Sequence, residues 1–201
     1  GAEVGYGRFK DAYKDVSSPW TPYDRTEAWY GKLAGHLGGS SDISAFYLEN
    51  VQGMDLIGSS AKAWGAGATI GLGDSGLKVD GDFIQTRGKN NLGHEHANLW
   101  TAGLSYGEVD LNKPGSFTLG VHYVRADAGS YLLGNSALDM TDQLEYGWDK
   151  GAGVKFWTAK AGVAVQKNVE LDAYYNFGAK VYDSNEEDPA NTWGVELNYA
   201  F

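Results

Sequence analysis

Residues 169–182 read VELDAYYNFGAKVY, and residues 192–201 read TWGVELNYAF. In the first stretch Val169, Leu171, Ala173, Tyr175, Phe177, Ala179 and Val181 share one parity. Glu170, Asp172, Tyr174, Asn176, Lys180 and Tyr182 share the other. In the second, Trp193, Val195, Leu197, Tyr199 and Phe201 oppose Thr192, Gly194, Glu196, Asn198 and Ala200. Side chains alternate across a strand with period two, so each stretch is a strand with one apolar face. The preceding segment repeats the pattern. Trp157, Ala159, Ala161, Val163 and Val165 oppose Thr158, Lys160, Gly162, Ala164 and Gln166, and a Lys167-Asn168 turn follows. Alternation does not say which face is inside. A soluble barrel hides its apolar face, whereas a membrane barrel turns it to lipid and keeps the polar face around its lumen.

The same pattern extends toward the N-terminus. Strands are expected at Glu3–Phe9, Thr26–Gly38, Asp42–Val51, Ala61–Gly73, Leu77–Thr86, His96–Gly107 and from Phe117 to Tyr123. Trp29, Leu33 and Leu37 oppose Tyr30, Lys32 and His36; Leu77, Val79 and Phe83 oppose Lys78, Asp80 and Asp82. Asp42–Val51 is the least regular, because Phe46, Tyr47 and Leu48 put bulk on both faces. The sum is ten strands, joined alternately by short turns near 40, 75, 112 and 168 and by longer loops at 10–25, 52–60, 87–95, 127–150 and 183–190. Short-long alternation of connections is the habit of a transmembrane antiparallel up-and-down β-barrel. Aromatic residues near strand ends agree: Trp29, Trp64, Trp100, Tyr106, Tyr123, Trp157, Trp193, Tyr199 and Phe201 fit a lipid-facing girdle, where an amphipathic ring is most stable. A soluble barrel or sandwich accounts for the alternation but not for the asymmetry of the turns.

Composition narrows the classes. The 201 residues fit one β domain spanning 1–201, and 29 glycines with 13 tyrosines suit strands and close strand approach. No run approaches the ~20 apolar residues of a membrane helix. The mean hydropathy of -0.39 does not oppose a barrel, whose strands show lipid only half their residues. Without cysteine there is neither a disulfide framework nor a thiolate metal site. A net charge of -10 argues against nucleic acid as a partner. Gly1-Ala2-Glu3 begins close to a strand, and no leader is expected within the sequence.

The polar parity supplies the candidate site. Lys32, Lys78, Lys160 and Lys180 stand there with Glu3, Asp80, Asp82, Glu170, Asp172 and Glu196, accompanied by His122, Tyr174 and Tyr182. Mixed charges around a water-filled lumen stay hydrated and set a transverse field for ions, and the carboxylate excess hints at cation preference. The competing outcome is a plugged barrel in which these charges pair, because ten strands alone enclose a narrow bore. Enzyme signals are poor. Gly103-Leu104-Ser105-Tyr106-Gly107 matches a nucleophile-elbow string, but its serine lies in mid-strand. Gly65 to Gly71 is no phosphate loop, since no helix follows and small residues suit a crowded barrel face. His94-Glu95-His96 lacks a third metal ligand, so neither metal nor cofactor is expected. Asp80 and Asp82 run toward that loop, and acid–histidine pairs at a barrel rim would resemble an omptin-like hydrolase.

The last part of the chain resembles a known family. Gly153-Val154-Lys155 through Ala164-Val165-Gln166-Lys167-Asn168-Val169-Glu170-Leu171 is similar to a hairpin of outer-membrane porins. Trp193-Gly194-Val195-Glu196-Leu197-Asn198-Tyr199-Ala200-Phe201 is similar to their last strand, whose terminal aromatic is read by the barrel-assembly machinery. This part of the chain resembles the C-terminal barrel of porins that carry an S-layer-homology domain, the OmpM type of diderm Firmicutes such as Veillonella. It implies a trimeric sixteen-stranded diffusion porin of the bacterial outer membrane, with a separate domain that binds the cell wall. The present sequence holds no such domain and too few residues for sixteen strands. It reads either as the C-terminal ten strands of such a porin or as a ten-stranded relative. The expected function is passive diffusion of ions and small hydrophilic solutes, with outer-membrane lipid as surroundings. A non-conducting barrel that anchors the envelope is the alternative.

Overall fold

The computed structural model of the chain describes residues 1–10, 25–52, 62–87, 96–130 and 141–200. Its strands are β1 (Ala2–Lys10), β2 (Arg25–Gly38), β3 (Ser41–Gln52), β4 (Lys62–Gly71), β5 (Leu77–Arg87), β6 (His96–Gly107), β7 (Phe117–Ala126), β8 (Gly153–Gln166), β9 (Val169–Tyr182) and β10 (Thr192–Tyr199). They form one ten-stranded sheet in sequence order, each strand antiparallel to the next. The protein is thus an all-β, up-and-down meander. The sheet does not close: β1 and β10 are its edges and no pairing joins them among the described residues. Period-two alternation specifies faces but carries no information about which strands meet at a seam. Phe201, His94 and Glu95 lie outside the described residues.

Burial identifies the sheltered face. On β8, Phe156 and Thr158 are 0% exposed, while Trp157 between them is 44% exposed. Cross-strand pairs share a face, so the registers carry this distinction over the sheet. The parity with more polar residues is inside, and the parity of Trp, Val, Leu and Ala is outside. A water-soluble antiparallel sheet packs its apolar face on the core; here most of that face is outward.

The outward aromatic residues reveal the strand tilt. Trp29 is opposite Glu49, and Tyr47 stands two residues nearer the short turns; Tyr47 is opposite Trp64. Trp64 is opposite Gln85, and Phe83, two residues on, is opposite Trp100. The same step leads from Trp100 to Tyr123, which pairs with Trp157, and from Phe177 to Tyr175, which pairs with Trp193. The row therefore shifts one residue per strand. With ~3.4 Å per residue and ~4.8 Å between strands, that is a tilt of about 35°, close to the strand tilt of closed barrels. Ring contacts stitch the row together at Tyr6–Trp29, Trp64–Phe83, Trp100–Tyr123 and Tyr123–Trp157.

Two local features depart from the sequence pattern. Gly178, with φ 64°, adds a residue to β9, so that Trp157 pairs with Phe177 but Lys155 pairs with Lys180. Glycine admits this left-handed bulge geometry, and a bulge flips every side chain beyond it. Ala179 is consequently buried on the inner side, where Val181 packs beside it. Lys180 and Tyr182, expected on the inner face, turn outward instead. The connection expected as a loop over 127–150 contains a helix, α1 (Thr141–Lys150). Ten residues are too few to hold a helix in water alone. Leu144 anchors it inside the sheet, in a cluster with Leu99, Val124, Ala126, Val154, Phe156 and Ala179. Gly147 permits the approach: a Cβ there would stand 3.0 Å from Val154 Cγ1 and from Ala152 O.

Candidate functional site on the inner face

The registers align one continuous polar row across the inner face. His36 pairs with Asp42, Asp42 with Thr69, Thr69 with Asp80 and Asp80 with Gly103. Gly103 pairs with His122, His122 with Thr158, Thr158 with Asn176 and Asn176 with Thr192. Nine strands thus contribute, from β2 to β10. Only Gly103 breaks the series, and the His122 ring lies over it. His122 Nε2 meets both carboxylate oxygens of Asp80, at 3.2 and 3.1 Å. His36 Nδ1 stands 2.9 Å from Asp42 Oδ1.

Around this row the expected residues gather in two sectors. On β2–β5, Lys32, His36, Asp42, Thr69, Asp80 and Asp82 line a concavity of about 500 Å³. Thr101 holds Asp82 in place: its hydroxyl donates to Asp82 Oδ2 at 3.4 Å and accepts from the Asp82 amide at 3.1 Å. On β8–β10, Lys160 pairs across the strands with Tyr174, and Gly162 with Asp172. Asp172 and Glu170 converge over Gly162: a Cβ there would lie 2.7 Å from Asp172 Oδ1 and 3.2 Å from Glu170 Oε1. Asn198 Nδ2 donates to Asp172 Oδ2 at 2.8 Å. Glu196 pairs with Asp172 and is exposed on the edge strand. Lys78 stands near the short-turn end, its Nζ 3.1 Å from Glu108 Oε2.

The third component, α1, has no sequence signature of the period-two kind. Gln143 is buried at the end of the polar row. Its Nε2 donates to Thr192 Oγ1 at 2.9 Å and to Ala190 O at 3.2 Å, and its Oε1 accepts from Asn176 Nδ2 at 3.0 Å. Tyr146 Oη donates to Glu187 O at 2.7 Å, and Lys150 Nζ lies 3.7 Å from Glu186 Oε2. The helix is therefore fastened to β9, β10 and the segment between them. Among the described residues it covers the loop-side end of the inner face along β6–β9; on β4 and β5, Ala63 and Thr86 are buried at the same end, and the concavity lined by Lys32, Asp42 and Asp80 lies closer to the short turns.

The structure separates some residues that sequence spacing grouped. Asp80 approaches His122, whereas His96 has the outward parity of β6. Ser105 is an inner-face residue near the short-turn end of β6, with Gly120 opposite it. Trp29, Trp64, Trp100, Tyr106, Tyr123, Trp157, Trp193 and Tyr199 share the outer face, and Tyr6, Tyr47, Phe83 and Tyr175 join them there. Among the described residues no group of three or more His, Asp or Glu side chains could share a metal ion. What this face can do is present fixed charges of both signs, with His122 held against the Asp80 carboxylate. The class so defined is an antiparallel β-meander with a polar sheltered face and an apolar outer one. Neither a protein-family model nor a curated protein matches the chain.

Proposed function

We propose that the chain forms an outer-membrane β-barrel, alone or as part of a larger one, through which ions and small hydrophilic solutes diffuse passively. One observation carries the reading: between the aromatic row and the short turns, the two faces divide by polarity. Among the described residues, the outer face between the aromatic row and the short turns bears no charged side chain; Gly, Ala, Val, Leu, Ile and aromatic residues make it up, with Ser41 and Gln166 at the strand ends. A lipid-facing charge near the midplane costs ~2–4 kcal/mol, and this surface avoids it. The tilt of the aromatic row and the porin-like hairpin at 153–171 support the same reading. Since α1 fills the β6–β9 side, solutes would pass along β2–β5, over Lys32, Asp42, Asp80 and Asp82. The filling by α1 also favours the second reading, a non-conducting barrel with a structural role.

Conductance across a planar lipid bilayer, with the reversal potential measured under a salt gradient, separates the two. A porin gives stable steps with mild cation preference. Asp80→Asn with Asp82→Asn should move the reversal potential toward anion preference, because fixed charge sets the local ion concentration. Inserted protein that never conducts leaves the structural barrel. Protein that does not insert at all ends the membrane reading.

A further inference from the structure

On β4–β9 the outward charges are one-sided, although Glu49 on β3 shares the outer face and takes Lys62 Nζ at 2.7 Å. The chain carries a net charge of -10, yet every charged residue directed outward on β4–β9 is basic: Lys62, Arg87, Arg125, Lys155 and Lys180. All lie loop-ward of the aromatic row. Arg125 and Lys155 occupy the first outward positions beyond Tyr123 and Trp157, about 7 Å along the strand. They face each other across β7 and β8, and Lys155 faces Lys180 across β8 and β9. Like charges directly opposite one another destabilise a sheet unless something of the other sign stands between them.

Neighbouring acids answer only part of this row. Asp188 Oδ2 takes Lys180 Nζ at 3.0 Å. Asp127 is occupied by Tyr182 Oη at 2.7 Å and by the Asn98 amide at 3.0 Å. Arg125 stacks its guanidinium 4.6 Å above the Tyr182 ring and lies in the field of the Asp127 carboxylate, so two acids face the three cations Arg125, Lys155 and Lys180. Lys155 makes no ion pair within 4 Å among the described residues and shares the field of the Asp188 carboxylate with Lys180. Aromatic rings of a membrane protein sit at headgroup level, so cations one step beyond them meet the phosphate layer.

We infer that Arg125 and Lys155, flanked by Lys180, form a binding site for the phosphate of a lipid headgroup in the loop-side leaflet. The inference rests on the barrel reading above and adds a ligand to its outer surface. A headgroup phosphate bridging the two cations would remove their repulsion and fix the height of the barrel in the bilayer. Basic side chains attract anionic lipid over roughly a Debye length, so the preference should weaken with salt.

The test uses the full chain reconstituted in phosphatidylcholine vesicles doped with phosphatidylglycerol or phosphatidylcholine brominated in the acyl chains. Quenching of tryptophan fluorescence, including Trp100 and Trp157, reports which lipid gathers beside the row. The native chain should favour the anionic lipid by about fivefold. Arg125→Gln with Lys155→Gln should bring the two lipids to equal quenching, while Arg125→Lys with Lys155→Arg should keep the preference. Equal quenching in the native chain, or a preference that survives the glutamine pair, overturns the site. If inorganic phosphate abolishes the preference and chloride at matched ionic strength does not, the site takes free phosphate and the lipid assignment fails. Absence of quenching by either lipid means that the chain never entered the bilayer, and the barrel reading falls with the site.

Discussion

Large inner-face side chains rest on glycines of the neighbouring strand. Phe46 lies over Gly65, Tyr174 over Gly194 and His122 over Gly103. A ring that folds across an adjacent glycine fills the space its missing side chain leaves, and the crossing strands gain contact area. This gives a physical reason for the alternating small residues at Gly65–Gly71. At Gly65 a Cβ would stand 2.5 Å from Phe46 Cε1 and 2.9 Å from the Phe83 carbonyl oxygen. The ring can swing away, but the carbonyl belongs to the backbone. Gly65→Val is expected to destabilise by about 1–3 kcal/mol, the usual cost of overpacking. At Gly31 a Cβ would have nothing within 4 Å, so Gly31→Ala should be nearly neutral. Urea unfolding midpoints of the two variants check this, and equal midpoints would remove the ring-on-glycine explanation.

Among the elements, α1 carries the largest consequence. Its large apolar anchor in the inner cluster is Leu144, which is 2% exposed. Leu144→Ala should cost about 2–5 kcal/mol of docking stability, enough to release so short a helix. Far-ultraviolet circular dichroism should keep its β signature while single-channel conductance rises, because the loop-side end of β6–β9 is uncovered. Unchanged conductance would mean that α1 does not limit passage. The segment after β9 makes a separate prediction. Asp188 accepts from Lys180 Nζ at 3.0 Å and from the Val181 amide at 2.9 Å. The lysine first, then the amide, hold its carboxyl below the ordinary aspartate value. A carboxylate lowered on folding stabilises above its unfolded value of about 3.9. That contribution is lost as pH falls through the lower folded value. NMR titration should place the Asp188 midpoint below that of an unfolded peptide, and Lys180→Met should raise it; a midpoint indifferent to Lys180 would discard the pair.

For the molecule as a whole, the decisive property is the division between its faces. Ala173 pairs with Ala161 and Val195 on the outer side, while its neighbour Asp172 pairs with Gly162 and Glu196 on the inner side. Ala173→Arg should impair folding into bilayers by ~2–4 kcal/mol, since it faces lipid in the membrane reading. Asp172→Arg should fold and should change ion preference, because its side chain stays in water. Refolding yield into vesicles, read by resistance to protease, distinguishes the two. Equal tolerance would refute the outward assignment of the apolar face.

The alternation of residues marked ten strands and which side chains share a face, since period two is a local property of the chain; which face is sheltered came from burial and the strand order from pairing. His96–Gly107 was legible to the residue, and the apolar parity from Trp157 to Val165 led directly to the outer surface. The charges at Lys32, Asp80, Asp82, Lys160, Glu170 and Asp172 were legible as sharing one face for the same reason. What lay beyond that pattern came from packing. Gly178 reverses the parity of β9 through one positive φ, which sends Lys180 and Tyr182 outward, and no count of alternating residues shows a bulge. The approach of Asp80 to His122 needs the register of three strands, and the fastening of Gln143 to Asn176 and Thr192 needs a helix folded back across the sheet. A helix of ten residues draws its stability from what it packs against, so its place is settled by the concave face that receives it.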